Sequence, residues 1–151
     1  MSNIETITES AAFFLKKSGG SLTRLKLQKL LYLADRSSLE LYGAPISGDT
    51  YFHMKYGPIL SETLSLMTGE LENEYWADWI WSEGVDDNNQ ELALVQAGNI
   101  TDESFLYLSK ADVQVLSSIW EQFGSMKPME LSDYTHTLPE HVKVETGRES
   151  L

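Results

Sequence analysis

Between Lys26 and Pro58 the chain sets down a helix, a hard stop and a sharp bend in an order that few folds accommodate. The run Lys26-Leu27-Gln28-Lys29-Leu30-Leu31-Tyr32-Leu33-Ala34-Asp35-Arg36 carries Leu30, Leu33 and Ala34, with Leu22 and Leu25 before it, at helical spacing. Leu27 and Leu31 widen the apolar stripe, so the helix is expected to be buried on more than one side. Tyr42-Gly43-Ala44-Pro45 ends it. A turn and a short extended piece follow over 46–54, and Tyr56-Gly57-Pro58 forces a bend. Pro58 suits a first helical turn, so a helix is predicted over Ile59 to Met67, closed by Thr68-Gly69.

The flanks are read the same way. Ala11 to Lys17 is a short helix stopped by Ser18-Gly19-Gly20, and Ser21 or Thr23 caps the helix after it. Tyr75 to Trp81 is dense in aromatics but irregular, and a loop follows over Gly84 to Asn89. Glu91 to Val95 and Ser104 to Leu108 alternate as two strands of a hairpin. Ser109 and Asp112 form a capping-box start for a helix through Phe123, with Val115, Leu116, Ile119, Trp120 and Phe123 turned inward. Met129 to Tyr134 is a last short helix, broken by Pro139. The expected class is mainly α (α+β): a single-domain helical fold over 1–142 with a small antiparallel β-hairpin, and a flexible polar tail over 143–151.

Charge is distributed unevenly. The net charge is −12, from 23 acidic and 11 basic side chains. Lys16, Lys17, Arg24, Lys26, Lys29 and Arg36 lie early in the chain, whereas no Lys or Arg occurs from Tyr56 to Ser109. The acidic half is either a solvated face or a docking surface for a basic protein partner. Lys26, Lys29 and Arg36 fall on one helical ridge, too few cations on so acidic a body for nucleic-acid binding to be expected. With no cysteine there is no disulfide and no thiolate chemistry. No apolar run approaches the ~18 residues of a membrane span, and Met1 to Glu5 lacks a signal-peptide pattern, so a cytoplasmic protein is expected.

No side-chain set announces catalysis. Asp133, His136, Glu140 and His141 imitate a metal cluster, but their spacing matches no metal motif and Pro139 interrupts it. His136 reads as a capping or hydrogen-bonding residue, and His53 as half-buried. The serines lack any nucleophile motif, and no glycine loop cradles a phosphate. No enzyme activity, metal or cofactor is expected. The aromatics Tyr75, Trp76, Trp79 and Trp81 are either core packing or an exposed protein-binding patch.

As a set, the segments resemble one family. Lys26 to Tyr32, Tyr42 to Asp49 and Met54 to Pro58, then Leu108 to Asp112 and Leu131 to His136, are similar in identity and order to the Panacea, or SocA-like, antitoxin domain. The resemblance spans residues 5 to 142. It implies a mostly helical domain with a small β element that neutralises a cognate protein toxin by direct binding. The family serves many unrelated toxins, and its founding member is an adaptor that delivers its toxin to a Clp-type protease. The alternative within reach is a proteolytic adaptor, or a phage- or prophage-encoded regulator of a host factor. Where members often carry a Trp after the Thr-His segment, this chain has Pro139-Glu140-His141. The resemblance assigns Lys26, Gln28, Lys29, Tyr32, Tyr56, Gly57, Pro58, Thr135 and His136 to the family motif, taken here as scaffold. Glu70, Glu72, Glu74, Trp76, Trp79 and Trp81 are the expected toxin-binding surface.

Overall fold

The computed structural model describes residues 2–141 and the backbone of 149 and 150. Helix α1 spans Ile4–Lys17 and starts well before the predicted Ala11. The Asn3 side chain accepts from the Thr6 N–H at 3.0 Å, and this cap adds the turns that bury Thr8, Glu9 and Ser10. Strand β1, Ser21–Thr23, was not expected, and it takes Leu22 out of the following helix. Thr23 then caps α2, Arg24–Tyr42, whose end is set by Gly43 at φ 76°, a left-handed conformation natural to glycine. As its pattern requires, α2 is buried on more than one side, with Leu27 and Leu30 fully enclosed. Each such leucine removed from water contributes roughly 2 kcal/mol.

The bend at Gly57-Pro58 differs from expectation. Strands β2, Tyr51–Met54, and β3, Gly57–Leu60, form an antiparallel hairpin with His53 opposite Pro58. Pro58 therefore opens a strand, and helix α3 begins only at Ser61 and runs to Thr68. Two causes are visible. β3 is an outer strand of its sheet, where a missing N–H costs little. The signal for α3 lies upstream, where the Asp49 carboxylate accepts the N–H groups of Glu62 at 2.8 Å and Thr63 at 2.9 Å. On the other edge of β2, the backbone of Glu149 and Ser150, β6, pairs with His53 and Phe52. The rest of the tail expected over 143–151 lies outside the described residues.

A second three-stranded antiparallel sheet has the order β1-β5-β4, with β4 at Ile80–Ser82 and β5 at Glu91–Leu94. The aromatic stretch is therefore regular: helix α4, Glu74–Trp79, runs straight into β4. Ser104 to Leu108 does not form the predicted strand. Short 3-10 turns at Ala97–Asn99 and Asp102–Ser104 replace that hairpin, and β5 pairs with β1 and β4. The Tyr107 N–H goes instead to the buried Glu9 carboxylate, at 2.8 Å. Helix α5, Lys110–Phe123, carries the predicted Ser109–Asp112 capping box, and α6, Pro128–His136, begins on Pro128. Helices α1, α2 and α5 enclose a core centred on Phe14, Leu27, Leu30 and Leu116. The fold is mainly α with small antiparallel sheets.

Candidate functional site

The motif residues meet where α2, the β2–β3 hairpin and α6 join. The Gln28 amide behaves like a strand edge: its Oε1 accepts from Leu60 N–H at 2.8 Å and its Nε2 donates to Leu60 C=O at 3.2 Å. The next residue, Lys29, is 1% exposed and donates from Nζ to Pro58 C=O at 2.6 Å. Burial lowers its pKa to about 7. Lys29, Gln28, Tyr56 and Gly57 line a cavity of about 220 Å³. Gly57 has φ +105°, and a Cβ on it would stand 2.6 Å from Thr135 Oγ1. Thr135 and His136 both bond the Ser132 carbonyl, at 2.7 and 2.8 Å, and Ser132 Oγ donates to Tyr56 C=O at 2.6 Å.

Here the expected polar ridge fails. Lys29 points inward, Lys26 donates to Gly124 C=O at 2.6 Å over the Trp120 ring, and Arg36 is paired with Glu140 at 2.7 Å. Helical spacing puts residues on one face but does not say whether that face meets solvent.

Behind the junction runs a hydrogen-bonded chain. Glu140 accepts from Arg36 Nε and Tyr32 Oη, each at 2.7 Å. Burial alone would raise the Glu140 pKa, but these donors outweigh it and hold the group below the usual range. Burial and the Glu140 bond push the Tyr32 phenol up. With its O–H donated to Glu140, Tyr32 accepts from His141 Nε2–H at 3.0 Å. That tautomer leaves His141 Nδ1 to accept from His53 Nδ1–H at 3.2 Å. Burial drives His141 down to about 4, against the pull of Glu140. His53 is fully buried, at 1% exposure, not half-buried as its neighbours implied, because the His141 and His136 rings cover it. Asp133, His136, Glu140 and His141 do not converge, since Glu140 faces α2 and His136 turns back on its own helix.

The six residues expected to meet a toxin divide into three groups. Glu72, Glu74, Trp76 and Trp81 line an open, largely apolar cleft of about 720 Å³ between the end of α3, α4 and β4. Trp76 forms its buried floor, while Trp81 is 51% exposed on its wall. Glu70 is exposed in the same turn but does not line the cleft. Trp79 belongs to a separate layer, stacked on Phe105 with ring centroids 5.7 Å apart. Tyr75 joins that layer, and its hydroxyl donates to Glu9 at 2.5 Å.

Several residues that build this geometry escape a reading of the sequence. Asp35 is buried and accepts from Ile46 N–H, Ser47 N–H and Tyr51 Oη at 3.0, 3.0 and 2.9 Å, and from Ser47 Oγ. Burial raises its pKa, and these donors partly offset that. An acid within an apolar helix, followed by Ser-Gly-Asp, was the available signal. For Val95, exposed on the cleft wall beside Trp81, no local signal existed.

A family model described as "Antitoxin SocA-like, Panacea domain" matches residues 27–140. No curated protein and no solved structure matches the chain.

Proposed function

The chain belongs to the SocA-like antitoxin family with a Panacea domain, and from that membership we propose that it neutralises a cognate protein toxin by direct binding. Neutralisation of this kind needs no bond made or broken in the antitoxin. It needs a surface that covers the toxin's active site or substrate groove. The observation that carries the choice of surface is the cleft between α3, α4 and β4, where apolar walls meet an acidic rim of Glu72 and Glu74. An apolar centre with a polar rim is the anatomy of a protein interface, and the acidic side chains on this rim favour a basic toxin. Action in the cytoplasm is part of the proposal, and among the described residues no helix is long and apolar enough to cross a membrane.

The test is co-expression. A small neighbouring open reading frame is expressed with and without this chain. Growth arrest that the chain relieves, with the two proteins co-purifying, is the expected result. Arrest that persists despite soluble chain would refute direct neutralisation.

A further inference from the structure

Strand β4 is one of the two outer strands of its sheet and runs along the wall of the cleft. Its inner edge is committed to β5: Val95 N–H bonds Trp79 C=O and Glu83 N–H bonds Glu91 C=O, each at 3.0 Å, with Trp81 opposite Ala93 between them. This phase turns the backbone of Ile80 and Ser82 the other way. The Ile80 N–H closes α4 on Trp76 C=O. That leaves the Ile80 C=O and both the N–H and C=O of Ser82 without partners among the described residues. An outer strand with such an edge is a template for another strand. Trp81 and Val95, 51% and 49% exposed, form an apolar step beside it, and Glu72 and Glu74 line the same cleft.

Resting on the antitoxin proposal above, we propose that the toxin docks by strand addition: an extended, basic segment of it pairs with the outer edge of β4. The backbone supplies two hydrogen bonds, at the N–H and C=O of Ser82, since Ile80 is itself buried. Alternate side chains of the incoming strand then fall to opposite faces. One set packs on Trp81 and Val95, and the other carries Lys or Arg toward Glu72 and Glu74. The absence of any Lys or Arg from Tyr56 to Ser109 leaves this acidic rim without cations from its own stretch of chain. Backbone pairing also tolerates many sequences, so one edge serves toxins that share only an extended basic segment.

The experiment uses the full chain and the product of the neighbouring open reading frame. Ser82→Pro removes the outward N–H and crowds the incoming strand, while the bonds from Trp79, Trp81 and Glu83 to β5 are left in place. The expected result is toxin binding weakened about tenfold or more with an unchanged melting temperature. Hydrogen exchange on the wild-type chain supplies a measurement independent of how that variant folds. The Ser82 amide should slow markedly when the toxin is added. An exchange rate at Ser82 that the toxin leaves unchanged would overturn strand addition, even where the chain still rescues growth. If instead the chain fails to rescue, the antitoxin proposal falls, and a synthetic peptide of alternating Lys and Val decides the edge by itself. Protection of Ser82 by that peptide, absent with an alternating Glu and Val peptide, supports a basic strand site; no protection by either refutes it.

Discussion

The junction of α2, the β2–β3 hairpin and α6 and the cleft beside β4 treat their polar groups in opposite ways. At the junction Gln28, Lys29, Thr135 and Tyr32 all spend their hydrogen bonds inside the protein. At the cleft, Glu72 and Glu74 face water, Trp81 is half-exposed and no strand pairs with the outer edge of β4 among the described residues. The most distinctive residues in the sequence thus have the least capacity left for a partner. A motif can identify a family through the demands of its own packing, while recognition is left to a surface with far looser requirements.

If that division holds, changes at the junction should act on stability and changes at the cleft on binding. The largest effect is expected at Gly57→Ala. A left-handed backbone and a Cβ 2.6 Å from Thr135 Oγ1 together should cost about 4 kcal/mol in urea unfolding. Lys29 should reveal itself through pH. Its folded pKa of about 7 lies below the ordinary 10.5, so between these values the unfolded chain holds the extra proton. Stability should therefore rise with pH across that window, and Lys29→Met should flatten the rise. Gln28→Leu strands both backbone groups of Leu60 and should cost about 2 kcal/mol, again without weakening any toxin complex that still forms.

The cleft should answer in the other coin. Glu72→Lys with Glu74→Lys should weaken toxin binding by about 1.5 kcal/mol, mostly through the association rate and more at low salt, with the melting temperature unmoved. A double variant that lost stability but bound normally would exchange the roles of the two regions. The smallest effect is expected at His141, whose folded pKa of about 4 lies below the ordinary 6.5. The unfolded chain then gains a proton first as pH falls, so this contribution is complete above 6.5 and lost between 6.5 and 4. After allowance for nearby solvent it amounts to about 1 kcal/mol, read as the difference in unfolding midpoint between wild type and His141→Phe across that range.

How far these two regions were legible differs for physical reasons. Helices α2 and α5 follow from apolar periodicity, Gly43 and the Ser109–Asp112 box, which are all local. Pro58 misled because a proline satisfies both a helix start and an outer strand, and the choice was made by Gln28, thirty residues away, and by Asp49. The predicted strand at Ser104 to Leu108 failed because its backbone went to Glu9 in α1. Of the six surface candidates, Trp76 and Trp79 alternate between floor and a second layer according to which face of α4 each occupies.

By itself, then, the sequence determined the helical frame, its stops, the acidic middle and the family, since each rests on neighbours in the chain or on a pattern of residue types. Only the tertiary structure decided that Lys29 is buried, that all three histidines pack together, and that Trp81 and Val95 share one wall with the outer edge of β4. Those facts depend on which distant segment reaches a side chain before water does, and no local pattern records the outcome.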